Sequence, residues 1–261
     1  MKRRLYLLFF LTSGFCFSQH LKYNQFWGEL RFNETLNKRW ATEWDFRTTH
    51  SGLHSESNLF HYSIRKAYAG WAHYYLNARW KISTGIGFFD NYNPQGATFS
   101  GYNEWRFTLQ SIYYIHRVGY TLSTRMRAEL RDRKNSLGDF DKSFRYRQEI
   151  KYIQPINNQR LRAGTIYGVA SEEIYLAANT KEEGVTFFNK NRCSIGAGYV
   201  ISDTFQIEAA YLNDYVPRDN TKTSTNVFFI RVTCNNLIHK AVKKVKTLTE
   251  EPVLEDETEN P

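Results

Sequence analysis

Cysteine is scarce in this chain and long hydrophobic runs are missing, and both shortages narrow the fold. Three Cys occur in 261 residues. Cys16 falls in an N-terminal leader, and Cys193 and Cys234 lie on strands expected to stand two apart. A bridge between them is therefore not expected, and they read as two lone small apolar residues. The apolar stretch Leu5–Leu11 is too short to cross a bilayer as a helix, and no later segment comes nearer. Mean hydropathy is negative, −0.59. Signatures of common chemistry are missing too: there is no Gly-rich phosphate loop, no Cys-x-x-Cys and no His-Glu-x-x-His. His50, His54 and Glu56 share one loop, but their spacing matches no strong metal motif. Neither a cofactor nor a metal is expected.

The start of the chain reads as a secretory leader. Lys2, Arg3 and Arg4 form a basic opening, Leu5–Leu11 an apolar core, and Ser18 a small residue before Gln19. Cleavage is expected after Ser18, leaving 261 − 18 = 243 residues. Lipid attachment at Cys16 is disfavoured by the bulk of Phe15 just before it. An exported chain without an apolar helix is periplasmic, secreted or an outer-membrane barrel. Negative hydropathy fits the barrel, because lumen residues cancel lipid-facing ones. The aromatic content of 16% favours it, since aromatic rings populate both membrane interfaces. The formal charge of +9 drops to +6 without Lys2, Arg3 and Arg4. Its basic residues are interleaved with Glu and Asp, so nucleic acid is not expected as a partner and a lumen favouring anions is the better inference.

The strongest pattern lies between Thr121 and Lys151. Ser123, Arg125, Arg127, Glu129, Arg131 and Arg133 alternate with Leu122, Thr124, Met126, Ala128 and Leu130. Ser143, Arg145, Arg147, Glu149 and Lys151 alternate with Phe144, Tyr146, Gln148 and Ile150. A period of two means extended strands. One face is apolar; the other carries charge too dense for an open sheet. The fold expected is all-β: a single antiparallel transmembrane barrel with a polar, salt-bridged lumen. Eleven strand-like segments run from Gln25–Asn33 to Thr225–Cys234, with short turns alternating with longer polar loops. Outer-membrane barrels normally have an even count, so ten or twelve strands are expected, with a bulge at Tyr68–Trp71 or an extra strand within Gln19–Phe26 restoring the parity.

Three regions follow: a leader over residues 1–18, a barrel over 19–234 and a periplasmic tail over 235–261. In the tail, Ile238, Ala241, Val242, Val245 and Leu248 recur at helical spacing beside Lys240, Lys243, Lys244 and Lys246. An acidic end follows. A short amphipathic helix resting on headgroups or blocking the lumen from below, and a frayed tail, are equally good readings.

The lumen network is expected to hold Glu29, Arg31, Glu43, Asp45, Arg47, Glu104, Arg106, Arg125, Arg127, Glu129, Arg131, Arg145, Arg147, Glu149, Arg162, Arg192, Glu208 and Arg231. Suggested registers set Arg125 opposite Glu149, Glu129 opposite Arg145, Glu104 near Arg131 and Arg106 near Glu129. Such a network either lines a selective pore or fills a small barrel in place of a hydrophobic core. His61 and Ser63 sit two apart with Arg65 next on the same face, a spacing used by some outer-membrane lipid hydrolases, although no third group orients the histidine.

Together these residues resemble a family of Gram-negative outer-membrane proteins known as domain of unknown function 2490. The likeness rests on Phe26-Trp27, Glu43-Trp44-Asp45-Phe46-Arg47, Asn103-Glu104-Trp105-Arg106, Arg125-Met126-Arg127-Ala128-Glu129, Arg145-Tyr146-Arg147, and Arg192 before Ile195-Gly196-Ala197-Gly198-Tyr199. It spans roughly Gln25 to Cys234. The resemblance implies an outer-membrane barrel and offers no activity. Phe228 and Phe229 lie well before the C-terminus, unlike the terminal aromatic strand by which many barrels are recognised for insertion.

The expected function is therefore a non-enzymatic outer-membrane barrel, a narrow passive pore or a plugged structural barrel, whose partners are outer-membrane lipids and the insertion machinery. The competing classes are a lipid hydrolase or deacylase using His61 and Ser63, and a soluble periplasmic β-sandwich binding protein.

Overall fold

A computed structural model describes residues 20–52, 58–93, 100–134, 138–178, 187–217 and 222–238. The leader, His54, Glu56 and the tail beyond Ile238 lie outside the described residues. The strands are β1 (His20–Thr35), β2 (Trp40–Ser51), β3 (Tyr62–Tyr75), β4 (Trp80–Asn93), β5 (Ser100–His116) and β6 (Thr121–Lys134). Then come β7 (Phe140–Pro155), β8 (Ile166–Ala178), β9 (Phe188–Val200), β10 (Phe205–Pro217) and β11 (Lys222–Asn235). They close into one ring. Ring closure overturns the two-sheet sandwich, because no edge and no second sheet remain.

The strand count is eleven, inside the range of about ten to twelve but odd rather than even. Neighbours pair antiparallel all round except where β1 meets β11, and there the pairing is parallel, from His20↔Lys222 to Asn33↔Asn235. An odd number of alternating strands forces this, since the first and last then point the same way. Parallel pairing is slightly weaker per residue, and side chains reinforce the seam. Like faces like at Asn24↔Asn226, Phe26↔Phe228 and Asn33↔Asn235. The asparagine pairs hydrogen-bond at 3.3 and 3.0 Å. The bulge expected at Tyr68–Trp71 does not exist, as β3 pairs there without interruption. The irregularity sits instead at Ile64, skipped between Ser63↔His50 and Arg65↔Thr49.

One end of the barrel is made by connections over residues 36–39, 76–79, 117–120, 156–165 and 201–204, called here the turn end. The opposite, loop end carries the connections over 52–61, 94–99, 135–139, 179–187 and 218–221. Two turns repeat one device, Leu-Asn-x-Arg-Trp. Asn37 Oδ1 accepts the backbone N–H groups of Arg39 and Trp40, and Asn77 Oδ1 those of Arg79 and Trp80. A side chain that mimics a turn carbonyl makes asparagine the natural choice. The β7–β8 connection, over 156–165, is the longest at the turn end, because β8 begins only at Ile166.

The barrel is inside-out relative to a soluble fold. Leu109 and Ile195 are 64% and 66% exposed on the outer face, whereas Glu104 and Glu129 are 0% and 2% exposed in the lumen. Alternation explains this directly: one face of each strand points into the lumen and collects most of the ionic residues, while the other faces out and is largely apolar.

Candidate functional site

The lumen is the site, and three ionic groups fill much of it. The first lies at the seam. Glu29 accepts from Arg31 at 3.0 Å, Arg47 at 2.8 Å and Arg231 at 2.5 Å. Arg31 also reaches Asp45 at 2.7 Å and Glu43 at 3.5 Å, and Arg231 reaches Glu208 at 3.2 Å.

The second spans β5 to β8. Glu104 takes both Arg106, at 2.7 and 3.0 Å, and Arg131. Glu129 accepts twice from Arg145, at 2.8 and 2.5 Å, and once from Arg147 at 2.7 Å. Arg147 also makes a two-pronged pair with Glu173 at 2.9 and 2.7 Å. Arg125 bridges Glu173 at 2.8 Å and Glu149 at 3.1 Å. The third group is Asp214 with Arg192 at 2.6 Å and Lys190 at 3.0 Å.

Two rings join these groups. Arg147, Lys190 and Arg192 lie 4.5, 4.2 and 5.5 Å from the ring of Tyr175. Arg192 also lies 4.6 Å from Trp27, and Arg47 lies 5.8 Å from the same ring. Cations on aromatic faces gain most where water is excluded, and Tyr175 is only 2% exposed. Burying a carboxylate is tolerable when several guanidinium groups bond it in good geometry. Each of Glu29, Glu104, Glu129 and Glu173 meets that condition.

The suggested registers Arg125↔Glu149 and Glu129↔Arg145 are both present. Across β5 and β6 the pairing is shifted, with Glu104 opposite Arg133 and Arg106 opposite Arg131. Arg131 still reaches Glu104, by the diagonal. Arg162 does not join the lumen. It is exposed in the β7–β8 connection and bonds Asn158 at 3.1 and 2.8 Å. Strand alternation does not reach Arg162, because β8 begins only at Ile166. Glu173, Tyr175, Lys190 and Asp214 escape pattern reading. Glu172 and Glu173 are adjacent carboxylates on opposite faces, and only pairing tells which one points in.

The His61–Ser63 pair loses its geometry. The skipped Ile64 turns Ser63 outward with His50, so Ser63 and Arg65 do not share a face. His61 precedes the strand and stacks on Tyr62 at 4.1 Å. Ser63 makes no hydrogen bond to a histidine among the described residues. His50 Nε2 faces Thr48 Oγ1 at 3.1 Å. No group of metal-ligating side chains occurs among the described residues.

The lumen is uneven along its axis. A cavity of about 390 Å³ occupies the stretch from mid-barrel to the turn end, lined among others by Trp71, Lys81, Arg127, Lys151, Tyr114 and Ser123. Toward the loop end Phe89 and Arg106 still line it, whereas Glu104, Arg131, Arg145, Tyr175 and Asp214 do not. Two glycines shape the wall. Trp71 lies flat on Gly85, where a Cβ would fall 2.4 Å from the ring, and Tyr167 lies on Gly198, where a Cβ would fall 2.1 Å away. Only a residue without Cβ admits such rings against the sheet.

A family model described as a protein of unknown function (DUF2490) matches residues 24–225. No match was found among curated proteins or among solved structures.

Proposed function

This chain belongs to the DUF2490 family, whose description carries no activity, and from its barrel we propose an outer-membrane protein with a plugged, non-conducting lumen. The outer face supports the membrane location. Apolar side chains cover it, and aromatic pairs mark two levels. Trp40–Tyr74 and Trp80–Tyr113 pack at 4.9 and 4.7 Å at the turn end, and Phe88–Trp105 at 5.0 Å nearer the loops. Eight residues separate Trp80 from Phe88. At ~3.4 Å per residue that is about 27 Å along the strand, or roughly 20 Å along the axis for a tilt near 40°. With the rings themselves included, the band matches the ~25 Å apolar belt of outer-membrane barrels. The turn end then faces the periplasm, and the leader over 1–18 accounts for export. Outer-membrane lipids and the insertion machinery are the partners this reading requires.

The observation that carries the plugged state is the burial of Glu104, Glu129, Glu173 and Tyr175 on β5, β6 and β8, none more than 2% exposed, with Arg145, Arg147, Lys190 and Arg192 gathered on the Tyr175 ring. An open pore keeps its charged lining wet; here carboxylates and guanidinium groups satisfy one another. The test is planar-bilayer recording on the refolded full chain beside gel mobility with and without heating. A heat-modifiable, electrically silent protein is expected. Discrete conductance steps would refute the plug, and extraction without detergent would refute the membrane location.

A further inference from the structure

We propose that the turn-end cavity binds a small solute bearing oxyanion groups, carboxylate or phosphate, through Arg127, Lys81, Lys151 and the indole N–H of Trp71. Binding in detergent tests this site independently of membrane location and conductance.

The argument starts from unmet charge. Most lumen arginines hold a carboxylate below about 3 Å, but three cations that line the cavity do not. Lys81 and Lys151 form no ion pair among the described residues, and Arg127 stands 3.8 Å from Glu129, which Arg145 and Arg147 already occupy. Arg127 instead bonds the neutral Gln110 at 2.9 and 2.5 Å. These groups also face like charge. Lys81 is within electrostatic range of Arg31, Arg125 and Arg127, with Glu43 the carboxylate near it. Lys151 is within range of Arg31 and Arg231, with Glu208 and Glu149 opposing. Glu43 and Glu208 are already claimed, by Arg31 and Arg231. Arg127 faces Arg147 directly across the β6–β7 pair. Clustered cations in a partly desolvated space are costly unless an anion joins them.

A second observation points to an acceptor. Trp71 Nε1 and Arg125 Nε are buried donors with no hydrogen-bond partner among the described residues, and both residues line the cavity. Buried donors are almost always satisfied. Trp71 is held in place from both sides, by Gly85 beneath it and by the Arg127 guanidinium 4.8 Å above its ring. The ring is therefore held rigidly. A cavity of about 390 Å³ lies within the ~300–1,000 Å³ range of small-molecule sites. Guanidinium and ammonium donors with an indole N–H suit oxyanions, which accept several hydrogen bonds at once. Thr121, Ser123 and Tyr114 extend the lining toward the turns.

Calorimetric titration of the refolded full chain in neutral detergent, at low chloride, tests this with citrate and inorganic phosphate as probes. Saturable binding of at least one probe is expected. It should weaken at least tenfold in Arg127→Gln and Lys151→Gln, and severalfold in Trp71→Phe, which keeps a ring but removes the donor. Arg162→Gln, which removes an exposed charge at the turn end, should bind as wild type. Heat-modifiable gel mobility certifies that each variant is folded. No binding of either probe to the wild-type barrel overturns the proposal. So does binding that none of the three cavity variants weakens, because the anion is then elsewhere on the surface.

Discussion

Replacing Glu129 by Ala should unlock the middle of the lumen. Its carboxylate accepts three charge-assisted hydrogen bonds, two from Arg145 and one from Arg147. The consequences for those two partners differ. Arg147 keeps its two-pronged pair with Glu173, so its charge stays compensated. Arg145 has no other ion pair among the described residues; it retains only the Tyr175 ring at 5.4 Å. With its side chain 10% exposed, it becomes an unpaired buried cation. Breaking a buried pair from one side costs about 3–5 kcal/mol, and the lower end applies, since a strand-borne arginine can swing toward solvated loops. About 3 kcal/mol is expected. Equilibrium unfolding by urea in detergent, read by the folded gel band and by tryptophan emission, measures it. Glu129→Gln keeps the shape and one acceptor, and should lose roughly half as much. Pairing Glu129→Leu with Arg145→Met should recover most of the loss, because the apolar pair leaves no orphaned charge. An unfolding midpoint for Glu129→Ala equal to that of wild type would refute the reasoning and mean that water already solvates Arg145.

Two further outcomes follow from the walls of the barrel. Gly198→Ala should destabilise by about 1–3 kcal/mol, because its Cβ would fall 2.1 Å from the fully buried Tyr167 ring. The same change in a Tyr167→Ala background should cost little; if it costs as much there, the ring is not the cause. Glu172 points outward in the middle of β8, bonded by Asn191 at 2.9 Å and Cys193 at 3.2 Å. A charge in the apolar belt is unfavourable, less so for Glu than the ~2–4 kcal/mol of Arg or Lys. Glu172→Leu should therefore raise stability in lipid vesicles more than in detergent, and equal shifts in the two would place Glu172 outside the belt.

Much of this molecule is legible from alternation alone. The residues from Thr121 to Lys151 declare two strands, which side of each is ionic, and a register in which Arg125 meets Glu149 and Glu129 meets Arg145. Where alternation is diluted, legibility drops. Along β8, Tyr167, Val169, Ser171, Glu173 and Tyr175 share the lumen face, a mixture with no ionic signature, so Glu173 and Tyr175 pass unnoticed although they hold the centre. Arg162 fails for a different reason. Its turn is built by Thr165 and Asn158 hydrogen bonds rather than by a proline or a tight glycine alone, so the start of β8 is set by contacts that a linear pattern does not display.

The period of two determines the class of fold, the inside-out distribution of charge and the chemical identity of the lumen, because side-chain direction along a strand is a local property of the backbone. The closure does not follow from it. Eleven strands were countable, yet the parallel seam depends on β1 and β11 finding each other in register across more than two hundred residues. A one-residue skip at Ile64 decides that Ser63 leaves the face of Arg65. Which cations are paired, which are left facing the cavity, and where the cavity lies are all products of three strands or more meeting at one level. Those distances exist only once the ring is shut, and so only the tertiary structure decides them.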